Sequence, residues 1–284
     1  MSNILIKKTY KKNIKFFFLK IIQRYFLSFN LKTNTDIKVL FNKDVISSDI
    51  LLNGVYEKEL LDFTLELCKK IGKLNNFSVA DIGANIGNHS LYFSNYFKKI
   101  YAFEAHPKIF SVNQLNTSNK KNIELFNFGL GDTHKNSFIY ENEYNMGGSS
   151  VINKVGKKIK IKIKKLDNIK KINKLLLIKI DVEDFELQVL KGSLNTIKKF
   201  KPIIAFESWS KHNSKISFLK KLNYKIFIVK NFNPFNFTFF KIFFNLKDII
   251  FGREFSLIEY SDKFKKKSFE QLIAIPIEKL GCFK

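Results

Sequence analysis

The stretch that decides the fold runs from Val79 to Ser90 and reads Val-Ala-Asp-Ile-Gly-Ala-Asn-Ile-Gly-Asn-His-Ser. An apolar run ends in Asp81, the glycines Gly83 and Gly87 follow, and a helical pattern then begins. Glycines at these positions allow a sharp turn and let a ligand approach the backbone, while a helix amino terminus favours an anionic group. The stretch therefore predicts a strand, a ligand-binding turn and a helix.

A second apolar run, residues 99–103, ends in the carboxylate of Glu104. An acid at the end of the second strand of such a unit accepts hydrogen bonds from ribose hydroxyls. The dinucleotide fingerprint G-x-G-x-x-G is absent, and Asp81 would repel a pyrophosphate but attract an ammonium group. S-Adenosylmethionine has a ribose and an ammonium group and no phosphate, so we predict it as the cofactor. The predicted binding residues in these two segments are Asp81, Gly83, Asn85, Gly87 and Glu104.

Short apolar runs alternate with helical patterns over most of the chain, and several are apolar throughout, as in strands buried on both faces. This alternation predicts an α/β fold with a Rossmann-like, doubly wound, mostly parallel sheet of seven strands. We predict strands at residues 77–82, 99–103, 123–126, 175–180, 202–206, 224–229 and 271–276. We predict helices at residues 57–71, 90–97, 108–116, 185–199 and 215–222.

Residues 136–141 and 158–164 predict an inserted β-hairpin. In its second strand Ile159, Ile161 and Ile163 alternate with lysines, which gives one apolar and one cationic face. Lysines on an exposed strand also deter edge pairing, so this pattern requires no ligand.

The amino-terminal region predicts a basic amphipathic helix at residues 11–29, because apolar residues recur there at helical spacing with lysines between them. Such a helix either packs on the neighbouring domain or binds an anionic membrane surface. We therefore divide the chain into an extension, residues 1–45, and a domain, residues 46–284. The Phe-rich run at 232–244 is a packed insertion, a lid or a lipid contact. No run is long and apolar enough to span a membrane.

Seven motifs, in order, resemble the FkbM family of methyltransferases over residues 49–278. They are Asp-Ile-Gly-Ala-Asn-Ile-Gly at 81–87, Phe-Glu-Ala-His-Pro at 103–107, Gly-Leu-Gly-Asp at 129–132, the loop at 145–150, Leu-Asp-Asn-Ile at 166–169, Ile-Lys-Ile-Asp-Val-Glu-Asp-Phe-Glu at 178–186 and Leu-Lys-Gly at 190–192. The resemblance implies S-adenosylmethionine-dependent O-methylation, often of a sugar or natural-product hydroxyl. The sequence differs from the usual family pattern at Asp184, where glycine is common.

Methyl transfer to a hydroxyl requires in-line alignment and a group that takes or stabilises one proton. Lys179, Asp181 and Glu183 alternate at the end of a predicted strand, so their side chains point the same way. Open α/β sheets place their reacting groups at this edge. We predict Asp181 as the base or hydroxyl-orienting group, supported by Lys179 and Glu183. An ion pair of Lys179 and Glu183 that only fixes the turn is an equally good interpretation.

Further candidates follow from position in the fold. By analogy, adenine is expected near Asn127 and Asp132. The candidates for contact with the methyl acceptor are His89, Asn145, Ser149, Glu207 and His212. For the histidines a solvated or capping role is the more ordinary alternative. No set of metal ligands can be named from residue spacing, so we predict none.

Composition limits the partners. The 284 residues are 45% hydrophobic, which is ample for a packed core, and the net charge of +25 suggests an anionic partner. However, 48 of the 50 basic residues are lysines, whereas nucleic-acid readers rely on arginine, and Lys, Asn, Ile and Phe all have A/T-rich codons. Nucleic acid is therefore an unfavoured partner. Cys68 and Cys282 are the only cysteines and indicate neither a disulfide framework nor a zinc site, which favours a reducing cytosol.

The sequence thus predicts an O-methyltransferase that acts on a sugar hydroxyl of a surface or secreted glycan. We place it in the cytoplasm or at the inner face of the membrane. Two alternatives remain open at this point: an RNA 2′-O-methyltransferase, and a membrane-associated binding protein without catalytic activity on the same scaffold.

Overall fold

The computed structural model describes residues 4–10, 50, 54–141, 156–182, 184–208, 214–232, 253–261 and 269–283. The chain divides into two compact units. The smaller unit comprises Met1–Thr64 and Val229–Ile258, and the larger comprises Leu65–Ile228 and Glu259–Lys284.

The described elements alternate between strands and helices, as the sequence predicts. The strands are β1 (Ile4–Tyr10), β2 (Ser78–Ile82), β3 (Lys99–Phe103), β4 (Ile123–Phe126), β5 (Gly129–Leu130), β6 (Lys135–Glu141), β7 (Lys157–Lys164), β8 (Leu175–Ile180), β9 (Ile203–Ser208), β10 (Tyr224–Phe232), β11 (Arg253–Glu259) and β12 (Phe269–Pro276). The α-helices are α1 (Lys58–Ile71), α2 (Asn88–Ser94), α3 (Pro107–Thr117), α4 (Glu186–Gly192), α5 (Leu194–Phe200) and α6 (Ser214–Lys221).

The larger unit contains a sheet of seven strands in the order β10-β12-β9-β8-β2-β3-β4. The pairs from β9 to β4 are parallel, and β12 is antiparallel to both of its neighbours, β9 and β10. This confirms the predicted doubly wound, mostly parallel sheet. The chain order reverses between β2 and β8, and in open α/β sheets ligands bind in the crevice beyond the carboxyl ends of the strands at such a point.

The core lies on the central strands. All five residues of β2 are buried, and so are five of the six residues of β8, the first four of them in succession. The largest fully buried side chains include Ile82, Phe103, Ile178 and Phe206, one from each of four adjacent strands. Each such side chain stabilises the fold by about 1.5–3 kcal/mol relative to its exposed state. The continuous apolar runs seen in the sequence are therefore strands covered on both faces.

The prediction of one helix over residues 185–199 is wrong, because two short helices meet at Ser193. Ser193 leaves helical geometry with φ −114° and ψ 10°, and a Cβ on Gly192 would lie 1.8 Å from the carbonyl oxygen of Gly131. The carboxylate of Asp167 accepts the backbone N–H groups of Asn195 and Thr196, at 3.0 and 2.8 Å. The close backbone contact and this side-chain cap together divide the helix.

The predicted hairpin is confirmed, since β6 and β7 pair antiparallel from Lys135↔Ile163 to Glu141↔Lys157. Its apolar face is buried through Ile139, Ile161 and Ile163, while Lys158, Lys160 and Lys162 are exposed. The two-residue strand β5 adds a third, parallel strand beside Ile163 and Lys164, which the sequence did not predict.

In the smaller unit, β1 pairs antiparallel with β11, from Ile4↔Ile258 to Tyr10↔Arg253. The ring of Phe255 in β11 stacks on Phe63 of α1, with centroids 5.8 Å apart. Neither β1 nor β11 was predicted. The predicted helix at 11–29 and the Phe-rich residues after Phe232 lie outside the described residues, and the division into 1–45 and 46–284 stays a prediction.

Candidate functional site

The turn after β2 joins the ends of three strands. Its residues Gly83 and Ala84 both donate backbone N–H groups to the carbonyl of Phe103, each at 3.0 Å. Asp181 donates its N–H to the carbonyl of Ile82 at 2.9 Å. Gly83 has φ 78°, and a Cβ on it would lie 1.8 Å from the carbonyl oxygen of Asp181. Only glycine allows β2 and β8 to end this close together.

Glu104 presents its carboxylate to the turn from the end of β3. Its Oε2 accepts the backbone N–H of Asn85 at 2.9 Å, and its Oε1 accepts that of His106 at 2.8 Å. Burial raises the pKa of Glu104 to about 7, although these two N–H groups and the charge of Lys179 act in the opposite direction. Each carboxylate oxygen has a second lone pair, so Glu104 can accept two further hydrogen bonds.

Side chains of α3 hold this turn in place. Asn113 donates from Nδ2 to the carbonyl of Asn85 at 2.8 Å, and Asn116 donates in the same way to Ile86 at 2.7 Å. Nδ1 of the buried His106 caps α3 by accepting a backbone N–H at 3.5 Å. Sequence reasoning missed the support from the two asparagines. The two asparagines lie one helical turn apart, which is the only signal that could have pointed to them.

A cavity of about 740 Å³, counted to its open mouth, lies beyond the ends of β2, β3 and β8. Its polar lining is Gly83, Asn85, Glu104, His106 and Asp181, and much of its apolar lining is Ile82, Phe103, Ile109, Leu130, Ile139, Ile161, Ile163, Val182 and Phe185. The cavity thus combines a few polar groups with an extensive apolar wall.

Lys179 connects two carboxylates at this edge of the sheet. Its Nζ donates to Oδ2 of Asp181 at 3.0 Å and lies 3.7 Å from Oδ1 of Asp81. The Asp181 side chain is 38% exposed and lines the cavity, whereas Asp81 is fully buried and is not part of the lining. Asp81 is held from the other side by Ser90, whose hydroxyl donates to Oδ2 at 2.6 Å.

The other predicted cofactor residues occupy different positions. Asn85 (φ 48°) lines the cavity, and Gly87 (φ 91°) is the residue before α2. Asn127 donates from Nδ2 to the carbonyl of Glu104 at 3.0 Å, so it connects the ends of β3 and β4. Asp132 is partly exposed, and neither it nor Asn127 is among the residues that line the cavity. Their contacts with adenine stay a prediction.

Of the predicted acceptor residues, His89 is the second residue of α2 and is partly buried. Glu207 lies near the end of β9 and is partly buried as well. Neither lines the cavity. The predicted site residues that lie outside the described part of the chain are Asn145, Ser149, Glu183 and His212.

A second lysine–carboxylate pair lies next to the Asp181 turn and was not predicted. Lys215 of α6 donates to Oε2 of Glu186 at 2.6 Å and to the carbonyl of Glu207 at 3.0 Å. Oε1 of Glu186 accepts the N–H of Asp184 at 3.2 Å. Asp184 has φ 67°, in the left-handed region that glycine adopts most easily, which accounts for the family's usual glycine there.

Residues 81–226, more than half of the chain, match the family described as "Methyltransferase FkbM domain". The chain belongs to the FkbM methyltransferase family. No curated protein shows significant sequence similarity to this FkbM chain.

Solved structures similar to this FkbM chain include other methyltransferases. The methyltransferase FkbM from Methylobacillus flagellatus KT is 18% identical over 65% of this chain and 44% of its own length, with a TM-score of 0.41. The chain thus spans less than half the length of that protein. The precorrin-6y C5,15-methyltransferase from Geobacter metallireducens GS-15 is 11% identical over 78% and 93% of the two chains, with a TM-score of 0.42. SMU.1697c from Streptococcus mutans, solved in complex with SAH, is 14% identical over 70% of this chain and 96% of its own length, with a TM-score of 0.36.

FkbM membership supports the predicted cofactor, S-adenosylmethionine, as the methyl donor. The cavity residues fit this molecule in chemistry. Glu104 offers two acceptor positions for a ribose diol, and the wall formed by Phe103, Ile109 and Leu130 is suited to an adenine ring. Asp181 lines the same cavity at the end of β8, and Lys179 contacts its carboxylate.

The described residues were also examined for metal-binding groups and for membrane-spanning helices. Among the described residues, no three or more His, Cys, Asp and Glu side chains are grouped so that they could hold a metal ion. No helix in the same part of the chain is long and apolar enough to cross a membrane.

Proposed function

We propose that this FkbM protein transfers the methyl group of S-adenosylmethionine to a hydroxyl of a sugar. The observation that carries the proposal is the carboxylate of Asp181. It lies at the cavity, is 38% exposed, and is held in one orientation by Lys179 at 3.0 Å. A hydroxyl acceptor needs a hydrogen-bond acceptor of this kind, because its oxygen must be oriented and its proton removed during the reaction.

Each residue of the site has a separate role in the proposed methyl transfer. S-Adenosylmethionine supplies a methyl group that is bonded to a positively charged sulfur. When the acceptor oxygen bonds to the methyl carbon, the sulfur leaves with the electron pair of the carbon–sulfur bond. Glu104 and the turn at Gly83 hold the nucleoside end and thereby fix the position of the methyl group. Asp181 accepts the hydrogen bond of the acceptor hydroxyl and takes its proton, while Lys179 keeps the carboxylate oriented.

The acceptor class rests on the family and on what the site lacks. Base amino-group methylation typically uses a proline-rich turn with an aromatic residue after the fourth strand, and in this chain residues 181–184 read Asp-Val-Glu-Asp. This sequence does not support methylation of base amino groups. The family resemblance favours a sugar of a surface or secreted glycan, which is our proposed acceptor, and the 2′-hydroxyl of RNA is the alternative. The two cysteines, Cys68 and Cys282, are unpaired, which favours the reducing cytosol as the place of action. Membrane contact through residues 11–29 is a further part of the proposal.

The test uses S-adenosylmethionine that carries a radioactive methyl group. It measures the transfer of this label to methyl glycosides of hexoses and 6-deoxyhexoses. We expect label in at least one glycoside and at least about a hundredfold less with Asp181→Asn. Asp62→Asn is the matched control, because Asp62 also pairs with a lysine, Lys58 at 2.7 Å, but lies on α1 and does not line the cavity. Total RNA is the competing acceptor. Label in RNA alone, with a steep loss as salt rises, would refute the sugar assignment.

A further inference from the structure

Asp81 is placed differently from a residue that contacts a ligand in the cavity. Its side chain has no exposed surface and does not line the cavity. Its Oδ2 accepts the hydroxyl of Ser90 at 2.6 Å. Its Oδ1 is buried and has no hydrogen-bond partner among the residues that the structure describes, and the nearest charge is Nζ of Lys179 at 3.7 Å.

The sheet itself brings these two side chains together. In the parallel pairing of β2 with β8, Asp81 is the register partner of Lys179. Partners in adjacent strands whose side chains share a face lie close enough to interact directly. The Lys179 side chain is 13% exposed, so its ammonium group is mostly removed from water and needs compensating negative charge. Asp81 supplies this charge from inside the fold, and Asp181 supplies it from the cavity side.

We propose that Asp81 and Ser90 are positioning residues for the reaction. Ser90 orients Asp81, Asp81 holds the ammonium group of Lys179, and Lys179 orients the Asp181 carboxylate toward the acceptor hydroxyl. This inference rests on the proposed function, which places the acceptor next to Asp181. It differs from the interpretation of Asp81 drawn from the sequence, in which Asp81 binds the ammonium group of the cofactor directly.

Lys179 connects Asp81 to Asp181. Its ammonium group lies 3.7 Å from Asp81 and 3.0 Å from Asp181. An ammonium group of Lys179 that lost Asp81 would be free to swing toward solvent on its flexible stem. Asp181 would then lose its fixed orientation, and misplaced catalytic groups lower turnover much more than they lower binding.

The variant Asp81→Asn separates the two interpretations, because asparagine keeps the shape and removes the charge. If Asp81 is a positioning residue, kcat should fall at least about tenfold, while the calorimetric Kd for S-adenosylmethionine changes less than about threefold. If Asp81 binds the cofactor's ammonium group, the Kd should instead rise at least about tenfold, and that result would overturn the proposal. Ser90→Ala is a milder variant that should show the same pattern with a smaller loss of kcat.

A double-mutant cycle with Lys179→Met tests whether Asp81 acts through Lys179. In the Lys179→Met background, the effect of Asp81→Asn on kcat should nearly disappear, because the side chain through which it acts is already gone. If Asp81→Asn and Lys179→Met instead lower kcat by independent factors that multiply, the proposal is contradicted. Thermal unfolding of each variant shows whether a loss of kcat reflects a loss of folded protein.

Crystal structures of the wild type and of Asp81→Asn test the positioning role of Asp81 without requiring that the acceptor be known. We expect the 3.0 Å contact between Lys179 Nζ and Asp181 Oδ2 to be lost or lengthened in the variant. An unchanged contact would overturn the positioning role even if the enzyme methylates sugars. Conversely, a wild type that methylates no glycoside would refute the proposed function, while the contact would still report on Asp81.

Discussion

Two lysine–carboxylate pairs lie at the carboxyl ends of the neighbouring strands β8 and β9, and they differ in what surrounds them. In the pair of Lys215 and Glu186 the side chains are only 4% and 3% exposed. In the pair of Lys179 and Asp181 they are 13% and 38% exposed. Both pairs have direct contacts, at 2.6 and 3.0 Å. The pairs therefore differ in access to the cavity more than in geometry.

The hydrogen bonds explain what each arrangement can do. Both oxygens of Glu186 accept protein donors, and Lys215 also donates to a backbone carbonyl, so this pair is occupied in fixing the turn at Asp184. Asp181 instead keeps part of its carboxylate exposed at the cavity. Buried pairs with satisfied hydrogen bonds serve structure, while a charged group held at a cavity is a candidate for chemistry. We expect the first pair to control stability and the second to control turnover.

The largest expected effect is the loss of turnover in Asp181→Asn. Removal of a proton acceptor typically costs about 10²–10⁴-fold, so kcat should fall by this amount in a steady-state assay. The free energy of unfolding should change by less than about 1 kcal/mol, because the Asp181 side chain is substantially exposed and Asp81 still compensates the charge of Lys179. Unchanged turnover, or unfolding at ambient temperature, would remove the distinction between the two pairs.

The buried pair of Lys215 and Glu186 should behave in the opposite way. Glu186→Gln leaves the ammonium group of Lys215 buried without a counter-charge, which should lower the free energy of unfolding by about 3–5 kcal/mol in urea denaturation. The double variant Glu186→Gln with Lys215→Met removes both charges and should recover most of that loss. A single variant as stable as the wild type would show that the pair does not hold the fold together.

Glu104 extends the comparison to a buried carboxylate whose direct contacts are backbone N–H groups. Because burial raises the pKa of Glu104 to about 7, the carboxylate is mostly protonated at pH 6 and mostly ionised at pH 8. Ribose hydroxyls donate to the ionised form, so S-adenosylmethionine should bind about tenfold more weakly at pH 6 than at pH 8.

Calorimetry at the two pH values measures this difference, and Glu104→Gln is the control. The variant should bind more weakly at pH 8 and should lose most of the pH dependence. A dependence that persists in Glu104→Gln would assign the titration to another group.

The smallest effect is expected at the turn between the two pairs. Asp184 adopts φ 67°, which costs a non-glycine residue some strain, whereas glycine adopts it freely but loses more entropy on folding. Asp184→Gly should therefore change the free energy of unfolding by no more than about 1 kcal/mol and leave kcat within about twofold. A large loss of turnover would show that the Asp184 side chain takes part in the reaction.

Sequence reasoning succeeded where one short segment determines the outcome. The doubly wound sheet could be expected from the alternation of apolar runs and helices, and the glycine turn and Glu104 from motifs within 24 residues of each other. The hairpin followed from the strict alternation of Ile159, Ile161 and Ile163 with lysines. In these cases local pattern and tertiary structure agree.

The features that were missed depend on residues far apart in the chain. The break between α4 and α5 results from Gly131 and Asp167, which lie well before the helices in sequence. Lys215 meets Glu186 across 29 positions, and nothing in the spacing of two such common residue types marks them as partners. The burial of Asp81 behind Lys179 required the register of β2 and β8, which a single sequence does not specify.

The central claim is that the carboxylate of Asp181 serves methyl transfer to a sugar hydroxyl. The most direct measurement is the NMR spectrum of the product formed from S-adenosylmethionine with a ¹³C-labelled methyl group and the methyl glycosides. We expect a methyl ether signal with the wild type that is nearly absent with Asp181→Asn at equal cofactor saturation. A label on nitrogen or carbon, or the same methyl ether signal from both proteins, would contradict this role of Asp181.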